Sequence, residues 1–232
     1  MRSQRVVLLT SMAALGACTD TTGPTGDHAL QVNVRVVNGT ASASAVNASP
    51  RASAATTVEI QSVAFVLGGL KLETAGLDST VDWVFEESVV IPLDLTGGPM
   101  LAFDTDVPPG VYKELEISVD KLEMGNPDEE PLIADWPELA DASVLVTGLV
   151  TRDGGAPESF TFTAALDIDL ELLFDEPVTF AAGDNPVTLV TLTIDLSGWF
   201  IAAENVLDPA DQASRSAVES NIQASVEVHK TD

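Results

Sequence analysis

Phe160-Thr-Phe-Thr-Ala-Ala-Leu-Asp-Ile-Asp-Leu-Glu-Leu172 decides the fold class. Phe160, Phe162, Ala164, Leu166, Ile168, Leu170 and Leu172 fall on one side of an extended chain. Thr161, Thr163, Ala165, Asp167, Asp169 and Glu171 fall on the other. Successive side chains of a strand point to opposite faces, so this pattern predicts a half-buried antiparallel strand. The same period recurs at Leu30–Val36, Leu115–Val119, Val190–Leu196 and Ile222–Val228. Further strands are expected near Val58–Lys71, Val81–Phe85, Val89–Asp94 and Ser143–Thr151. The last is apolar on both faces, which predicts a central strand covered twice.

Turn residues separate these runs: Gly97-Gly98-Pro99, Pro108-Pro109-Gly110, Gly125-Asn126-Pro127, Asp153-Gly154-Gly155 and Gly183-Asp184-Asn185-Pro186. One helix is expected, with Asp208 as its cap, Pro209 in its first position and Ala210–Ser220 as its body. Many strands, frequent turns and little helix predict an all-β chain, an antiparallel β-sandwich with one short C-terminal helix. Residues 39–57 are rich in Ala and Ser without a periodic face, and read as a mobile loop inside a β-sandwich domain spanning 30–232.

The N-terminus reads differently. Arg2 and Arg5 precede a short apolar run, Val6–Ala17, that is too short to span a bilayer. It ends in Leu15-Gly16-Ala17-Cys18, which resembles the lipobox of bacterial lipoproteins. That resemblance makes residues 1–17 a signal peptide and Cys18 the lipidated first residue of the mature chain. Residues 18–29, small, polar and broken by Gly and Pro, then form a flexible tether. The position after Cys18 is Thr19, and Asp20 comes one residue too late for the usual inner-membrane retention signal. The bacterial envelope is therefore the expected location, with the outer membrane favoured where there is one.

The segment from Leu30 to Met124 resembles the N-terminal part of a family of bacterial exported lipoprotein domains of uncharacterised function. The resemblance rests on the opening strand, Val58-Glu-Ile-Gln-Ser-Val-Ala-Phe-Val-Leu67, the strand around Trp83, Ile91-Pro-Leu-Asp-Leu95, and the Pro109-Gly110-Val111-Tyr112 turn. It implies a prealbumin-like or carbohydrate-binding-like sandwich and brings no catalytic residues with it. A fold of this kind does not fix a function.

Composition narrows the chemistry. The chain has 232 residues, with 10 Lys and Arg against 36 Asp and Glu, a formal charge of −26. Removal of the two N-terminal arginines would take this to −28. No basic surface exists to neutralise phosphates, which excludes nucleic acid as a partner. A hydrophobic content of 45% is too high for a disordered acidic chain. The single Cys excludes an intrachain disulfide and a Cys-based zinc site. His28 lies in the tether and His229 on the polar side of the last strand. Neither suits an oriented Ser–His–Asp site, and no Gly-rich phosphate loop is present. A two-carboxylate glycosidase is open on composition alone, but nothing singles out a pair. The chain is expected not to be an enzyme.

Two candidate sites remain. Asp167, Asp169 and Glu171 share one strand face, and hard oxygen ligands suit calcium, although the EF-hand spacing is absent. The alternative is a solvated acidic face that serves solubility. Trp136, in Ala-Asp-Trp-Pro-Glu, is the candidate for stacking on a sugar ring. Trp199 and Tyr112 read as packing residues. The expected function is a lipid-anchored binding or adhesion module, held to a membrane by its N-terminal lipid and facing a glycan or a surface protein. The alternatives are a calcium-assisted carbohydrate-binding module and a structural subunit of a surface assembly.

Overall fold

The structure, a computed structural model, describes residues 29–38, 42–44, 56–76, 82–181, 187–203 and 205–231. The signal peptide, Cys18, the tether up to His28 and the Gly183–Pro186 turn lie outside the described residues.

Three sheets enclose one apolar core. The first has the order β15 (Val226–Thr231), β12 (Val187–Asp195), β1 (Ala29–Val37), β7 (Met100–Asp106). The second has the order β10 (Glu158–Ala164), β9 (Val144–Thr151), β3 (Thr57–Leu67), β2 (Ser42–Ser44), with β6 (Val89–Pro92) pairing the far half of β3. The third has the order β11 (Ile168–Phe180), β8 (Gly110–Val119), β4 (Gly69–Thr74), β5 (Trp83–Phe85). A small hairpin joins β13 (Ile201–Ala202) to β14 (Asn205–Val206). The main cluster takes Leu30, Val32 and Leu192 from the first sheet, Phe65, Val146 and Phe162 from the second, and Leu72, Leu115 and Ile117 from the third. With few aromatic residues, the packing rests on Val, Leu and Ile, as binary patterning requires.

The all-β sandwich expected from the alternation is present, with antiparallel pairing dominant. Five details differ. The run from Phe160 to Leu172 is two strands in two sheets. Phe160, Phe162, Ala164, Leu166 and Ile168 stay buried across the break, so alternation alone does not reveal it. Val58–Lys71 is likewise divided, at Gly68. β1 pairs in parallel with β12, from Ala29↔Val187 to Val37↔Asp195. In β7, Ala102 is an extra residue opposite Val32 and Asn33, and this bulge erases the period that would have marked the strand. Part of the 39–57 segment is strand as well, since Ser42–Ser44 pairs with β3.

The C-terminal helix α2 runs over Arg215–Gln223, later than the sequence pattern indicates. Asp208 does not cap it. Its carboxylate accepts two hydrogen bonds from Arg152, at 2.5 and 2.8 Å, and a third from the Ala210 N–H. Together with the Asp211 N–H bond to the Asp208 carbonyl, these contacts brace a turn ahead of the helix. Ile222, assigned above to the last strand, is buried through the helix, and the strand starts at Val226. The side-chain amide of Asn221 donates toward the carbonyls of Gly198, Trp199 and Ile201, which fixes the turn that seats Trp199 in the core. A second short helix, α1 (Glu130–Asp135), lies in the long β8–β9 connection. That connection roofs a satellite cluster of Ala64, Val66, Leu122, Leu139, Ala142 and Leu145. The twice-covered strand is β9: Val144 and Val146 enter the main core and Leu145 the satellite.

Two glycines are set by close approach. A Cβ on Gly148 would lie 2.1 Å from the Glu59 carbonyl oxygen, where β3 bulges between Ile60 and Ser62. A Cβ on Gly68 would lie 2.3 Å from an Asp120 carboxylate oxygen. Beside the break in the other divided run sits Ser143, fully buried. Its hydroxyl donates to the Ala164 carbonyl at 3.1 Å and accepts the Leu166 N–H at 2.7 Å. Ser143→Ala removes the hydroxyl to which the Leu166 N–H donates. The expected cost is about 1–3 kcal/mol, read as a lower urea midpoint with an unchanged denaturant slope.

Candidate functional site

The strand breaks create a concavity. β3 passes into β4 at Gly68, whose N–H donates to the Ser118 carbonyl at 2.9 Å. β10 passes into β11 through Ala165, Leu166 and Asp167. β8 leaves the third sheet beside both, at Asp120 and Lys121. The β8–β9 connection then folds over the gap. The result is an open groove of about 1070 Å3. Its walls carry Glu86 and Glu87 from the β5–β6 link, Asp120 and Glu123 after β8, Asp128 and Glu129 before α1, and Asp167 at the corner. Lys121 is the one cationic residue of this lining.

Part of this acidity is structural. Glu129 accepts the Ser88 hydroxyl at 2.9 Å and the Glu123 N–H at 2.6 Å, which ties the β8–β9 connection to the β5–β6 link. Asn126 accepts the Asp128 N–H at 3.2 Å, shaping the turn in which Gly125 takes a φ of 88°. The remaining carboxylates face solvent, and their combined field repels anions.

The sequence-derived carboxylate row is brought together only in part. Asp169 and Glu171 are exposed on the outer face of β11, opposite Ser118 and Glu116 of β8. Asp167 sits beyond the start of that strand, on the wall of the groove. Burial, then the charges of Glu116, Asp167, Asp120 and Glu171, hold the Asp169 carboxyl above its ordinary value. Lys71 partly relieves the face through a 3.2 Å ion pair with Glu116, and Lys113 pairs with Glu73 at 3.1 Å. Among the described residues, no group of three or more His, Cys, Asp or Glu side chains is arranged to hold a metal ion.

Trp136 caps the end of α1 and is half-buried against the satellite cluster. It packs as a roof over Leu139 and its neighbours more than it stands free as a platform. Trp199 is fully buried, with its indole N–H donating to Ser225 at 2.8 Å. Tyr112 packs edge-on against Phe180, and its hydroxyl donates to the Pro108 carbonyl at 3.0 Å. His229 is exposed on β15, 3.4 Å from Glu227. Sequence reading did not place Glu86, Glu87, Asp120 or Glu123 in a site. They lie in two separate stretches of chain, and only the strand crossings unite them.

Two outcomes are expected. The raised Asp169 carboxyl means that the folded chain holds this proton more tightly than the unfolded chain. Its contribution to stability therefore falls as pH rises from the ordinary Asp value through the raised one. Asp169→Asn removes the repulsion and is expected to stabilise the fold by a few tenths of a kcal/mol, up to about 1. A calorimetric midpoint should rise at neutral pH and low salt, and the gain should shrink in high salt and in acid. Millimolar calcium is expected to move the midpoint no further than magnesium at matched ionic strength. A calcium-specific rise would restore Asp167, Asp169 and Glu171 as ligands.

No protein-family model, curated protein or solved structure matches this chain, so its function must be argued from its own residues.

Proposed function

We propose that the chain is a lipid-anchored, non-catalytic binding module of the bacterial cell envelope. One observation carries the reading: Leu15-Gly16-Ala17-Cys18 follows a positively charged, short apolar run and contains the sole Cys of the chain. The residue types are those that export and acylation need, in the order they need them. A single acyl chain binds a membrane weakly, so firm anchoring requires more than one. No helix of the described residues is long and apolar enough to cross a membrane.

The folded body supports a binding role through its shape and charge. It offers an open groove with a carboxylate-rich lining, built on strands whose ends are pinned by Ser143 and Gly68. Such walls disfavour phosphorylated and other anionic ligands. The exposed imidazole of His229 stands on the outer surface, with Glu227 as its recorded ion-pair partner, and the groove lining contains no His, Cys or Tyr.

Cys18→Ser is the deciding variant. Expressed in a Gram-negative host, the parent chain is expected in the membrane fraction and the variant in the soluble one, with mass spectrometry finding acyl chains on the parent alone. Equal partition of the two would refute the anchor.

A further inference from the structure

The fold fixes which end of the body the tether enters. Ala29 opens β1 and pairs with Val187 and with Asp106, the last residue of β7. A three-residue turn then leads from Asp106 to Gly110, the first residue of β8. β8 runs ten residues away from that end, a rise of about 30 Å, before it delivers Asp120 to the groove. β11 repeats the geometry in reverse: Phe180 pairs with Gly110 at the tether end, and Ile168, next to Asp167, pairs with Val119 at the groove end. The tether exit and the groove therefore lie at opposite ends of the third sheet.

Both ends carry exposed apolar residues and carboxylates. Val187 and Val111, 51% and 45% exposed, sit at the tether end, paired with Ala29 and with Thr179, as do Asp104 and Asp106. Met124, 67% exposed, follows the wall residue Glu123 at the groove end. The entry point of the chain at Ala29, and not a difference in surface chemistry, therefore sets the direction. Ten residues, Thr19–His28, separate Cys18 from Ala29 in the sequence.

From this placement we infer that the anchored body stands with its Val111–Val187 end toward the lipid and its acid-lined groove turned away from it. The inference rests on the lipid anchor proposed above. The N-terminal segment joins the lipid to the end that Ala29 occupies, and the groove, the length of β8 away, stays open to soluble or surface-borne partners.

Depth-dependent quenching tests this on the full acylated chain, whose Cys18 thiol is consumed by the lipid. Val187→Cys and Asp128→Cys each introduce one free thiol for a fluorophore. Both variants are reconstituted in phosphatidylcholine–phosphatidylglycerol vesicles bearing a headgroup nitroxide. The label at 187 is expected to be quenched several-fold more than the label at 128. Equal quenching, or the reverse order, in chains that float with the vesicles overturns the orientation and leaves the anchor standing. Chains that fail to float overturn both.

Discussion

Ser143 is the point on which the architecture turns. Every polar group of this buried residue is used. Its N–H donates to the Ala164 carbonyl at 2.8 Å, and its carbonyl accepts the Val66 N–H at 2.8 Å. Its hydroxyl donates to Ala164 and accepts from Leu166. Strands that leave a sheet abandon their ladder partners, and buried backbone groups cannot go unpaired without cost. Ser143 takes over that pairing where β10 ends, while Gly68 does so for β3 by donating to Ser118 of β8. Two chains can thus pass from the second sheet to the third side by side. The groove is the space that their passage leaves.

Binary patterning made the fold class readable and hid its corners. A strand that changes sheets keeps burying alternate residues, because both sheets face the same core. Leu166 is buried although it belongs to neither β10 nor β11. Period two therefore reports burial and is silent about partners. The bulge at Ala102 worked in the opposite direction, hiding a real strand by shifting the phase. Helix α2 was misplaced because Asp208, which does accept the nearby Ala210 N–H, closes a turn before the helix and is braced there by Arg152, 56 residues away in sequence.

The site was less legible than the fold for a related reason. A row such as Asp167, Asp169 and Glu171 stands out in a sequence because its members are close in the chain. Proximity along one strand spreads side chains about 6.6 Å per pair, which separates ligands instead of converging them. Convergence comes from different segments, and Glu86, Asp120 and Glu123 carry no mutual signal in the sequence. Trp136 shows the same limit from the apolar side. It sits in a polar stretch that reads as exposed, yet it is half-buried against the satellite cluster.

Charge unites the surface with the tether. A body with this excess of carboxylates gains no adhesion to anionic lipid from its surface, and under the function proposed above attachment would fall to N-terminal acyl chains. The same excess has a use once the chain is tethered. Repulsion between like-charged bodies opposes edge-to-edge pairing of the open strands, a hazard that crowding on a membrane would raise.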